Sequence, residues 1–183
     1  LRLPNEDLYL IKPSGVKYED LTPEKMVLID AEGKVIEGKM LPSTDTETHL
    51  QIYKKRNDVN GVVHTHSCYA TAFATAGMSI PACLTEIADE FGHDIPCSDY
   101  APIGGVEMAE AALATMKNGC AVLLKSHGVI TTGVTAVKAL RAAMILEHSA
   151  KIVFLAQQLG EPEKLDEDEL QRAHKRYIEQ YGQ

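Results

Sequence analysis

The sequence lacks the features that would send it to a membrane, a nucleic acid or a nucleotide. No apolar run approaches the ~20 residues that a membrane span requires. Positive charge is in the minority: 18 Lys and Arg face 26 Asp and Glu, a formal net charge of −8. That balance leaves no broad basic face for nucleic acid, although one phosphate group can still be held locally. No G-x-G-x-x-G and no Walker loop occurs, which lowers the weight of nucleotide chemistry. The four cysteines (Cys68, Cys83, Cys97 and Cys120) form no C-x-x-C pair, and no secretory signal is apparent. They read as reduced thiols of a cytoplasmic protein. No internal repeat and no linker divides the 183 residues, 45% of them apolar, so one domain with a real core is expected over 1–183.

What is present is a pattern of histidines on an apolar background. Gly61-Val62-Val63-His64-Thr65-His66 reads as a short, largely buried strand. Alternate strand residues share a face, so His64 and His66 stand side by side. Packing explains two neighbouring imidazoles poorly; a shared cation, joined by a third histidine, explains them well. His127, in Lys125-Ser126-His127-Gly128, is the candidate third ligand. Cys68 would join the alternation if the strand continued, but Ser67-Cys-Tyr-Ala-Thr-Ala-Phe-Ala reads as a helix start that turns it away. Asp45 is either a fourth ligand or the N-cap of a helix. His49, one turn on, is read as an ordinary polar residue, and His93, His148 and His174 as surface histidines. Two turn sequences, Lys12-Pro13-Ser14-Gly15 and Pro42-Ser43-Thr44, carry hydroxyls and amides suited to an anion.

The remaining pattern is mixed. Leu8–Lys12 is an apolar strand, and Met26–Ile29 and Lys34–Glu37 flank a hairpin turn at 30–33. Helices are predicted after Thr46, from Ser67 to Gly77, over Glu86–Phe91 and from Gly105 to Lys117, where Asn118-Gly119 is a stop signal. Ile95–Tyr100 is expected to be extended. Cys120–Lys125 and Val129–Thr132 form a strand pair around His127. A long helix over Val134–Leu159 follows, and the acidic residues 166–169 open a last one. The fold class is therefore α/β, with hairpins that imply substantial antiparallel pairing.

Taken in order, Ile11-Lys12-Pro13-Ser14-Gly15, Pro42-Ser43-Thr44-Asp45-Thr46, His64-Thr65-His66-Ser67 and Ser126-His127-Gly128 resemble the class II aldolase/adducin family over nearly the whole chain. The resemblance implies a three-layer α/β/α sandwich with a central, mainly antiparallel sheet. It also implies a homotetramer of four-fold symmetry with active sites between subunits. Each site would hold a divalent metal, commonly Zn2+, with His64, His66, His127 and Asp45 as ligands; Mn2+ or Co2+ suits the same donors. Lys12, Ser14, Gly15, Ser43 and Thr44 would bind the phosphate of a small sugar phosphate. The family's N-terminal helix and first phosphate loop would precede Leu1.

Two branches of the family differ at positions that can be inspected. Fuculose-phosphate-type aldolases place a glutamate base at the position of Asp45 and a tyrosine at that of Thr85. The 4-epimerases of L-ribulose 5-phosphate have aspartate and threonine there, an acid/base aspartate matching Asp89, and a Tyr-Gly-Gln tail matching Tyr181-Gly182-Gln183. By that resemblance the expected reaction is inversion at C4, giving D-xylulose 5-phosphate by retro-aldol cleavage and re-addition. Asp89 and Tyr181 would be the catalytic pair at the C4 oxygen. The alternative is an aldolase that releases dihydroxyacetone phosphate. A third possibility, a non-catalytic adducin-like module, fits less well because such members tend to lose the metal ligands.

Overall fold

Strand alternation decides the first layer of structure. In the computed structural model, which describes residues 1–180, β1 (Leu8–Ile11), β2 (Val27–Asp30) and β3 (Val35–Glu37) form an antiparallel meander. Tyr9 stands opposite Ile29 and Ile11 opposite Val27, and these four side chains are buried. The β2–β3 turn closes where expected, because the Asp30 carboxylate accepts from the amides of Glu32 (3.0 Å) and Lys34 (2.9 Å).

A second antiparallel sheet contains β4 (Gly61–Thr65), β5 (Ala121–Leu124) and β6 (Gly128–Gly133), with β6 in the middle. Its strands are apolar on both faces, and the two-residue period sorts them between two cores. Ala121, Leu123 and Val129 pack with α2 (Cys68–Ala76), α3 (Thr85–Phe91), α5 (Ala136–Leu159) and α6 (Glu167–Gln180). Val62, Val122, Leu124 and Ile130 pack with α1 (Thr46–Lys55), α4 (Val106–Met116) and the inner face of the first sheet. Helices therefore cover the sheet on both sides, and the expected α/β/α layering is found. The Arg2 amide joins the two sheets by donating to the Asn60 carbonyl at 2.9 Å, while Leu1–Leu3 pair back onto β1.

The differences from the sequence reading are local. Residues 95–100 make only bridges, Ile80 to Ile95 and a parallel one from Cys97 to Leu123. Two 3-10 turns, Tyr18–Asp20 and Pro23–Lys25, carry no strong sequence signal. α5 starts at Ala136 rather than Val134 because Thr135 caps it, its side chain accepting from the Lys138 amide at 3.2 Å. No helix among the described residues is long and apolar enough to cross a membrane.

Leu123, on β5, is fully buried. Leu123→Ala should cost about 2–5 kcal/mol of unfolding free energy, read by urea denaturation, from lost transfer energy and the cavity left behind. A cost under about 1 kcal/mol would show that this layer is not close-packed.

Candidate metal centre

Two chain crossings assemble the histidines. His64 lies on β4 opposite Ile130, and His66 follows one residue past the strand on the same side. His127 sits in the turn from β5 to β6, where Ser126 takes a positive φ of 61° and donates its amide to the Ala74 carbonyl at 3.0 Å. Gly128 lets this turn press against β4. A Cβ there would lie 2.5 Å from the Thr65 carbonyl oxygen and 2.7 Å from His66 Cδ2.

The three rings face one another, each pair with centroids 4.9 Å apart. One ring nitrogen from each lies within 4.8 Å of the other two. His64 Nδ1 is 2.8 Å from the Val129 carbonyl oxygen. A carbonyl only accepts, so Nδ1 carries the proton and Nε2 presents its lone pair. That Nε2 lies 3.2 Å from His66 Nε2. His127 Nδ1 is buried with no hydrogen-bond partner among the described residues. Burial lowers the pKa of His64 and of His127, and repulsion among the imidazoles adds to it, against the pull of Asp45. Neutral imidazoles with converging lone pairs are the form a divalent cation needs. The donor set fits such an ion.

Asp45 immediately precedes α1, but its side chain makes no capping hydrogen bond. It lies outside the three-histidine group, yet its charge acts on both His64 and His127. The two anion-type turns lie side by side through a bridge between Pro13 and Pro42. The Ser43 amide donates to the Lys12 carbonyl (3.0 Å), and the Ser14 amide to the Leu41 carbonyl (2.9 Å). Lys12, Ser14, Gly15, Ser43 and Thr44 are thus gathered in one place, and Ser43 Oγ accepts from the Asp45 amide at 3.3 Å. Space above Gly15 is open. Burial drives the pKa of His49 down to about 3, with repulsion from His64, the N-terminus and Lys12 contributing, so its imidazole stays neutral.

Other expected residues lie elsewhere. Asp89, on α3, pairs with Arg176 of α6 at 3.2 Å, and its carbonyl accepts from His174 Nδ1 at 2.8 Å. Within one chain it is an α3–α6 tie and not part of the histidine group. Tyr181 lies outside the described residues. Cys68 is exposed at the start of α2, also outside the group. Of the three histidines read as surface residues, only His148 is exposed; His93 and His174 are half-buried and bonded to the carbonyls of Asp94 and Asp89. The Val129 carbonyl that orients His64 had no sequence signal, since any residue supplies a carbonyl.

The family model described as the class II aldolase and adducin N-terminal domain matches residues 1–154. The chain belongs to this family. A 5-deoxy-D-ribulose 1-phosphate aldolase of Bacillus thuringiensis serovar kurstaki is 38% identical over 178 residues, covering 97% of this chain and 83% of its own. Among solved structures, an L-fuculose 1-phosphate aldolase superposes with a TM-score of 0.88 at 32% identity, over 94% of this chain and 81% of that one. YgbL of Escherichia coli gives a TM-score of 0.81 at 26% identity, over 95% and 84%. The class II aldolases are divalent-metal enzymes, and this chain has the histidine triad that such an ion requires.

His66→Ala should reduce bound metal after dialysis from about one ion per chain to near zero, measured by elemental analysis. Gly128→Ala should weaken metal retention too, because its Cβ would strike Thr65 and His66. Undiminished metal in both variants would rule the triad out. Metal-free protein should also lose stability with acid. His49, His64 and His127 all bind protons less readily folded than at the ordinary value of 6.5. Their contribution is therefore complete above that value and is lost as pH falls below it, toward about 3 for His49. Urea midpoints that match at about pH 7.5 and about pH 5 would contradict this.

Proposed function

We propose that the protein is a zinc-dependent aldolase that cleaves a ketose 1-phosphate into dihydroxyacetone phosphate and an aldehyde. The observation that carries the reading is the grouping of three imidazoles, with the Asp45 charge acting on two of them and the paired anion-type turns, the second of which runs up to Asp45 in sequence. The names of two relatives point the same way, since those reported above at 38% and 32% identity are sugar-phosphate aldolases.

The 4-epimerase expectation gives way to this one. It rested on a resemblance at Asp45, Thr85, Asp89 and Tyr181, whereas the relatives reported above at 38% and 32% identity are aldolases. Asp89 is tied to Arg176 and Tyr181 falls outside the described residues, so neither favours inversion over cleavage. Retention of the histidine triad speaks against an adducin-like, non-catalytic role.

In the cleavage direction the C4 hydroxyl loses its proton and the C3–C4 bond breaks, releasing the aldehyde. The bonding pair passes toward C3 and the C2 oxygen, and a proton delivered to C3 completes dihydroxyacetone phosphate. A divalent cation held by His64, His66 and His127 would supply Lewis acidity at the carbonyl oxygen. Asp45 exchanges the proton at C3; its place outside the triad but within electrostatic reach supports a proton carrier over a fourth ligand. Lys12, with the Ser14, Ser43 and Thr44 hydroxyls and the Gly15 amide, receives the phosphate. Asp89 and Tyr181 are proposed to serve the C4 oxygen of a neighbouring subunit's substrate in a homotetramer, since Asp89 stands apart from its own chain's histidines. The four unpaired thiols suit a cytoplasmic setting.

Asp45→Asn should keep its metal while turnover falls by ~100-fold or more, the usual scale for a proton-transfer group. Loss of metal instead would make Asp45 a ligand. The activity itself is tested by supplying metal-loaded protein with 5-deoxy-D-ribulose 1-phosphate, L-fuculose 1-phosphate and L-ribulose 5-phosphate. Dihydroxyacetone phosphate from a 1-phosphate is expected. Formation of D-xylulose 5-phosphate, with no cleavage of either 1-phosphate, would restore the epimerase.

A further inference from the structure

The three metal-binding rings do not share the same support. His64 is anchored through Nδ1 to the Val129 carbonyl. His127 is half-buried in a tight turn whose amide donates to the Leu124 carbonyl at 2.9 Å. His66 is exposed, and its ring nitrogen meets only that of His64 among the described residues. Its position must come from its backbone. On one side that backbone is held by the pairing of Thr65 with Val129. On the other it runs through Ser67 into the first turn of α2.

That first turn has an uncommon cap. Ser67 occupies the N-cap position, yet its side chain makes no capping bond. The free amides are taken instead by a carboxylate nearly eighty residues later: Glu147 of α5 accepts from Tyr69 through Oε1 and from Ala70 through Oε2, both at 2.9 Å. A carboxylate is favoured there by the partial positive charge of the helix start. The same stripe of α5 holds the Tyr69 ring, with Phe154 at 5.7 Å between centroids and Lys151 Nζ at 5.7 Å. Glu147, Lys151 and Phe154 are spaced four and three apart, on one helix face.

We propose that Glu147 is a positioning residue for the metal centre, clamping the start of α2 so that His66 meets His64 and His127 at one point. The inference rests on the metal reading of the triad. Removing the carboxylate leaves two amides without acceptors and frees the segment between Thr65 and Tyr69. His66, exposed and with a ring nitrogen that meets only that of His64 among the described residues, then drifts from the common point.

The test compares wild-type protein with Glu147→Ala, Glu147→Gln and Thr135→Ala. Thr135→Ala removes an ordinary side-chain cap, at the start of α5 and away from the triad. Each metal-free protein is titrated with Co2+ alone, reading affinity by chelator competition and ligand geometry by the visible cobalt bands. Glu147→Ala should bind about 10–100-fold more weakly, as when an outer support of a ligand is lost, with altered bands. Glu147→Gln keeps one acceptor oxygen and should fall between it and wild type, and Thr135→Ala should match wild type. Wild-type affinity and bands in both Glu147 variants would make the carboxylate a purely structural cap and overturn the inference. If Glu147→Ala fails to fold, Glu147→Gln decides: weaker binding supports the clamp, and wild-type binding overturns it. Wild-type protein that binds no Co2+ would contradict the metal reading itself, and the clamp with it.

Discussion

The antiparallel pairing of β4 with β6 is the constraint on which the rest of the molecule depends. It sets Thr65 opposite Val129, and from that register three things follow. The Val129 carbonyl reaches His64 Nδ1 and fixes which nitrogen faces outward. The turn before β6 is brought against the end of β4, so His127 arrives beside His64 and His66. The contact is so close that only glycine fits at position 128. A one-residue slip would turn both β4 histidines to the other face of the sheet.

That geometry has an energetic cost, and the cost explains the chemistry. Burial, with repulsion among the imidazoles added, lowers the pKa of His64 and of His127 and so favours their neutral form. A buried ring nitrogen without a partner, as at His127, is unfavourable. A divalent cation would give one nitrogen from each of the three rings a shared partner. Asp45 lies outside the group, and its negative charge pulls the other way on the pKa of His64 and His127.

The layers of the fold were legible because their patterns are local. The strands at 61–65, 121–124 and 128–133, the turn at 30–33 and the helices are found close to their expected bounds. The triad was legible for the same reason, two histidines on a strand and one beside a glycine. Asp45 was ambiguous, since a residue before a helix can cap or ligate, and the absence of a capping bond had to be seen in three dimensions. The pairing of Asp89 with Arg176 could not be read from the sequence, because it joins residues 87 apart. Glu147 carried no motif at all, and only the packing of α5 on α2 reveals its bonds to Tyr69 and Ala70. His49 and His174 were discounted because burial cannot be read from an isolated polar residue.

His64, His66 and His127 are proposed to hold one divalent cation together, and X-ray absorption at the metal edge of zinc-loaded protein tests this. Three imidazole nitrogens are expected at about 2.0–2.1 Å, the remaining coordination being oxygen. A shell of oxygen or sulfur with no imidazole scattering would contradict it.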